Sequence, residues 1–362
     1  MKNKRFITLI TIGLSLFLLI WVFRTVQLRE TWEALRGLTV GAVGVLVLVN
    51  GVVLVSLNGR WWVLLWGLGY RLPFWRLLGH RLAAFGVSYF TPGPHFGGEP
   101  VQVLLVEREH GVPRSTAVAA VTLDKTLELL VNFTFLLGGV TAVLQGQLFG
   151  SMVGWEAILF AVGLLTLPGL LLLAIWREWA PVSRMMGRLS GLAMWEKRPL
   201  WRQKLRHWRD GVQRSEMQAA RLFQEAPASL WAALVISVAG WLLIIVEYWL
   251  MLFFLGIDLT PLQTIALLTA ARMAILLPLP GGLGTLEASQ VLALGAMGEN
   301  AGVGLSISLL IRVRDVLLGL SGLWWGMRHL NLSPRRRKKY RSTPSGVIKS
   351  NIPVHKEPTN LL

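Results

Sequence analysis

Six apolar runs, each long enough to cross the hydrocarbon core of a bilayer, decide what this chain can fold into: Phe6 to Phe23, Val40 to Leu57, Ala117 to Leu144, Met152 to Ile175, Leu230 to Leu255 and Val303 to Trp325. A backbone in hydrocarbon must satisfy its own polar groups, so these runs predict transmembrane helices. Only 15% of the residues are charged, against about 25% in an ordinary soluble domain, too few to give a chain that is 54% hydrophobic a water-facing surface. The first run follows Lys2, Lys4 and Arg5 and ends in Trp21, Val22, Phe23 and Arg24 rather than in small residues, which predicts an uncleaved span instead of a secretory signal. The second continues through Asn58, Gly59 and Arg60 into Trp61 to Trp66, predicting a helix that ends at an aromatic-rich interface.

Charge sets the orientation. The net charge of +17 is gathered between the apolar runs instead of being interleaved with aromatics on a soluble face, so nucleic acid is not an expected partner. The loop 177–226 carries eleven Lys and Arg against five acids, and Arg335 to Lys339 form a basic run near the end. Loops near Gln145 to Gly150 and Gly256 to Pro261 have no Lys or Arg, so the positive-inside rule predicts that both termini and the long loop are cytoplasmic in an inner or plasma membrane. The basic loop is also suited to anionic lipid headgroups. Residues 331–362 are expected to form a basic, disordered tail. The chain has no Cys, so thiolate metal sites and disulfides are excluded.

Two stretches interrupt the simple spans. About residues 74–106, an amphipathic half with Arg76, His80 and Arg81 meets the break Thr91-Pro-Gly-Pro-His-Phe-Gly-Gly-Glu99, and a short apolar run follows. About residues 262–298, Arg272 precedes the break Pro278-Leu-Pro-Gly-Gly-Leu-Gly-Thr-Leu-Glu287. Proline removes a backbone donor and glycine bares the backbone, so such breaks at membrane depth need protein or a wet cavity around them. Both stretches are expected to be re-entrant helical hairpins. Their likeness, with Gly111 and Gly298 at similar distances beyond the glutamates and charged clusters in the next spans, predicts a duplication into residues 1–145 and 146–330. Each half holds two spans, a hairpin and a third span, and three crossings turn the second half upside down. The predicted fold is therefore an all-α integral membrane protein of six full spans and two re-entrant hairpins in an inverted-topology repeat, with the hairpin tips meeting near the midplane.

Candidate site residues follow from the same reasoning. A charge at a helix centre costs roughly 2.5 to 3.5 kcal/mol on insertion scales, so Asp124, Lys125, Glu128, Glu247, Arg272, Arg312, Arg314 and Asp315 are expected to face the bundle interior. For each, ion pairing that fixes helix packing is an alternative to a substrate role. Glu99 and Glu287 stand beside glycine-rich breaks, where the N–H groups of Gly97, Gly98, Gly281, Gly282 and Gly284 could hold a phosphate, with Pro92 and Pro280 shaping the turns. No Walker glycine loop, His-Glu-x-x-His helix or Gly-x-Ser-x-Gly elbow is present, so no cofactor, no metal and no catalytic residue is assigned.

The Pro92 to Glu99 break, the Asp124-Lys125 pair, the Pro-x-Pro-Gly-Gly-x-Gly-x-x-Glu motif from Pro278 to Glu287, and Arg312 together resemble the flippase-like membrane domain of the lysylphosphatidylglycerol synthase (multiple peptide resistance factor) family, from the first span to Trp325. His95 and Lys125 depart from the usual form. Full-length members add a soluble domain that transfers lysine to lipid; with only a basic tail beyond the last span, the resemblance implies lipid handling without aminoacylation. The expected function is a lipid flippase or lipid-linked substrate transporter acting on a phospholipid or polyprenyl-linked lipid. The alternatives are an intramembrane enzyme that modifies lipid headgroups and a membrane anchor for a cytoplasmic transferase. A homodimer is compatible with the sequence.

Overall fold

The computed structural model describes residues 32–33, 35–91, 97–145, 154–190, 199–277 and 282–330. The predicted first span, Pro92, His95, Pro280, Gly281 and the tail 331–362 lie outside the described residues. Within them the fold is all helical. Four helices are long and apolar enough to cross a membrane: α1 (Val40–Gly67), α4 (Arg114–Gln145), α5 (Glu156–Trp176) and α8 (Pro227–Phe254). Between α1 and α4 lie the shorter α2 (Phe74–Phe90) and α3 (Glu99–His110). Following α5 come α6 (Pro181–Ser190) and α7 (Pro199–Glu225), and following α8 come α9 (Pro261–Leu276), α10 (Thr285–Ala296) and α11 (Ala301–Leu330). The 30-residue α11 matches the last predicted run but carries Arg312, Arg314 and Asp315 at its middle.

Local signals place the ends. Thr260 and Gln263 form a capping box at the start of α9, with Pro261 in its first turn. The C-cap of α3 is Gly111 in the left-handed conformation (φ 66°), which glycine adopts without a Cβ penalty. The halves of each break remain in contact, α2 against α3 and α9 against α10.

The run α1–α4 and the run α8–α11 keep register almost to the residue. A constant step of 187, the separation of Gly69 from Gly256, also carries Gly111 to Gly298, and all four glycines have positive φ. The step carries Phe74 at the start of α2 to Pro261 at the start of α9, and Arg60, Lys125 and Glu128 to Glu247, Arg312 and Asp315. It pairs Gly97 with Gly284.

The counterparts α1 and α8 cross antiparallel. Asn50 bonds to Glu247 (2.9 Å), the Ser56 hydroxyl donates to Ile236 O (3.1 Å), and Gly67 meets Ser229, so residue numbers rise along one helix as they fall along the other. Each hairpin then leans on the final helix of the opposite half. Gly79 lies under Trp325 and Gly86 against Gly319, joining α2 to α11, while Gly139 meets Thr269, joining α4 to α9.

Trp61, Leu64 and Leu65 are fully buried with Val106, Ala120 and Leu123. Trp61 is covered by α4, while Trp66 at the far end of that stretch is exposed. Outward, Leu48, Phe160, Leu170, Leu242, Phe253 and Leu317 are exposed on α1, α5, α8 and α11. That much bare apolar surface is stable against acyl chains, not against water.

Candidate functional site

The first turn is built by close approach. A Cβ on Gly98 would lie 1.9 Å from Ala84 O, so only glycine lets the start of α3 press on α2. The Gly98 N–H donates to Ser88 Oγ (2.8 Å), and the Gly97 N–H donates to Glu99 Oε2 (2.8 Å). In the second turn the Gly284 N–H donates to Glu287 Oε2 (2.9 Å). These N–H groups, expected to be available to a phosphate, are thus occupied by the protein's own side chains. Phosphate binding there would require their displacement.

Each turn's glutamate faces a cation in the long helix that follows it. Lys125 Nζ lies 3.9 Å from Glu99 and 2.8 Å from Glu128. The step-related Arg312 pairs with Glu287 at 2.8 Å and donates to Gly282 O at 2.7 Å. Tyr89 of α2 also reaches Arg312, tying the first hairpin to the second turn.

Behind these pairs lies a buried network. Arg60, fully buried on α1, donates from Nε to Asp124 (2.6 Å) and from Nη2 to Glu128 (2.9 Å), and Arg81 approaches the same two carboxylates at 3.2 and 3.5 Å. At the counterpart of Arg60 stands Glu247, which pairs with Arg314 at 2.9 Å, and Arg314 in turn holds Asp315. The sign of the charge is swapped between halves, while the helix pairs, α1 with α4 and α8 with α11, are equivalent. A lone charge at this depth would be prohibitive; shared bonds make it tolerable.

Both networks open onto one cavity of about 340 Å³, lined from the first half by Asn50, Arg81, Ser88, Glu99, Asp124, Lys125 and Glu128 and from the second by Trp241, Glu247, Arg272, Arg314 and Asp315. Arg272 is distinctive. Its guanidinium sits 4.8 Å from the Trp241 ring centroid, and no carboxylate lies within 4.0 Å of it among the described residues. A cation stacked on indole, with no carboxylate ion-paired to it among the described residues, is suited to an anionic group entering the cavity.

Of the residues expected to bind substrate, Glu99, Asp124, Lys125 and Arg272 line the cavity. Glu287 and Arg312 form a separate pair at the second turn, with Gly282 and Gly284 beside them. Gly97 and Gly98 shape the first turn, and Pro92, Pro280 and Gly281 lie outside the described residues. Arg60 and Trp241 were missed. The signal for Arg60 was its position, one step before Glu247.

A second, larger groove of about 690 Å³ lies between α6 and α7, lined by Arg184, Arg188, Arg209 and Arg221. Glu216 reaches into it but is spent on the N–H groups of Val182 and Ser183 at the start of α6. Arg184, Arg188 and Arg221 are exposed and Arg209 is half-buried, as befits a solvent-facing basic surface, so the cavity between the hairpins is the better candidate for a specific site.

No curated protein and no solved structure matches the chain. Residues 8–322 match the family described as the lysylphosphatidylglycerol synthase TM region. With its apolar helices, broken hairpins and internal charges matched over most of its 362 residues, this multi-pass membrane protein belongs to that family.

Proposed function

We propose that the chain moves a polar-headgroup lipid between leaflets, the headgroup passing through the cavity between the two halves while its acyl chains stay in the surrounding lipid. The cavity carries this reading: charged side chains from both halves line it together with apolar ones, and the helices around it have apolar outer faces. Family membership supports a role in lipid modification or transport. In this mechanism Arg272, braced by Trp241, receives the headgroup phosphate. Glu99 and Lys125 face an amine or hydroxyl on the same headgroup, and the Arg60 and Glu247 networks keep the walls rigid. The two hairpins are re-entrant and the halves form an inverted repeat, supported by the constant step and the antiparallel crossing of α1 and α8. The membrane is the plasma or inner membrane. Both termini and the α6–α7 groove face the cytoplasm, where the arginines meet anionic headgroups.

The test is reconstitution in liposomes with fluorescent lipids of several headgroups and an external quencher. A charge-assisted hydrogen bond is worth about 1.5–3 kcal/mol, so Arg272→Gln and Glu99→Gln should each slow lipid movement by roughly ten- to a hundredfold while eluting as the wild type does. Wild-type rates in both variants would remove the cavity from the pathway. A change in the mass of the recovered lipid would make the protein an enzyme instead.

A further inference from the structure

We propose that His80, Glu109 and His110 form a site for one divalent transition-metal ion of the zinc type, which ties the foot of the first hairpin together. His80 lies in the second turn of α2, and Glu109 and His110 are the last two residues of α3. One ligand atom from each lies within 4.8 Å of the other two. The site is largely buried, with His80 0% and His110 2% exposed, and the half-buried Glu109 leaves access for a water as fourth ligand. His80 Nε2 and Glu109 Oε2 are 3.1 Å apart, close to the edge of about 3.3 Å in a tetrahedron with metal–ligand bonds near 2.0–2.1 Å. Glu109 Oε1, on the carboxylate that faces His80 Nε2, is buried with no hydrogen-bond partner. A buried polar atom left unpaired in a native fold asks for an explanation, and a bound ion supplies one.

The donor set selects the ion. Two imidazoles and one carboxylate suit zinc and its neighbours, whereas magnesium and calcium prefer oxygen alone. Nor does the site belong to the duplicated framework: one step on, the positions of His80, Glu109 and His110 hold Leu267, Ala296 and Met297, none a comparable ligand set. Only the first hairpin carries it, far along the chain from the Gly97-Gly98 turn that joins the same two helices at their other ends. An ion here would brace α2 against α3, whether or not the chain moves lipid.

The experiment uses tag-free, chelator-treated full-length protein in detergent, with zinc uptake measured by elemental analysis and competition against a chromophoric chelator. One zinc per chain, retained in excess magnesium, is the expected result. Glu109→Gln and His110→Gln should each weaken it at least about tenfold, and His207→Gln on α7 should leave it unchanged. Cobalt(II) on the wild type should give the strong visible bands of a four-coordinate site, a readout that does not depend on the variants folding. Failure to take up stoichiometric zinc, weak octahedral-type cobalt bands, unaltered affinity in folded Glu109→Gln, or loss of zinc in His207→Gln would each overturn the site.

Discussion

Arg60 shows how much depends on a single side chain. Its guanidinium neutralises two carboxylates at once, and removing one member of a buried ion cluster typically costs about 3–5 kcal/mol because the others are left uncompensated. Arg60→Met should therefore lower unfolding stability in detergent by about that amount. Arg36→Met, which loses only an exposed contact with Trp32, should stay within about 0.5 kcal/mol. Equal effects in a thermal or denaturant titration would show that Arg81 alone can hold Asp124 and Glu128. Most of the charged interior was legible in the sequence, since Asp124, Lys125, Glu128, Arg272 and Arg314 stand inside apolar runs where charge is expensive. Arg60 was not. It follows an apolar run and precedes Trp61, a pattern that also marks a membrane interface, and only the packing of α4 over α1 distinguishes the two environments.

Among the elements, the hairpins depend on glycines that no other residue can replace. A Cβ on Gly98 would meet Ala84 O at 1.9 Å, and one on Gly322 would meet Leu82 O at 1.9 Å. Both obstacles are backbone, which cannot rotate aside. Gly98→Ala and Gly322→Ala should each destabilise by about 1–3 kcal/mol or more, whereas Gly163→Ala, with open space around it in α5, should gain up to about 1 kcal/mol of helix propensity. Unfolding midpoints for the three variants check the ranking, and an Ala at 98 as stable as the parent would show that α2 and α3 can separate freely. The existence of two broken segments was legible from their Pro and Gly clusters. Their partners were not: the leaning of α2 on α11 and of α9 on α4 rests on small residues hundreds of positions apart, whose spacing carries no local signal.

For the whole molecule, orientation is the prediction most easily read. The chain has no Cys of its own, so single cysteines at Lys197 or Arg209 should resist a membrane-impermeant thiol reagent applied from outside, and cysteines at Leu148 or Asp258 should react. The opposite pattern would invert the assignment. The likeness of the two broken stretches was legible in outline, but the constant step between α1–α4 and α8–α11 and the antiparallel meeting of α1 and α8 needed coordinates, because most positions one step apart share no chemistry. The two turns are also unequal: the glutamate of the second turn is clasped by its arginine at 2.8 Å, and that of the first stands 3.9 Å from its lysine. An opposite arrangement, first turn clasped and second released, would use the same joints with the halves trading places. In the lipid transport proposed above, such an exchange would let the two hairpins alternate in holding their cations.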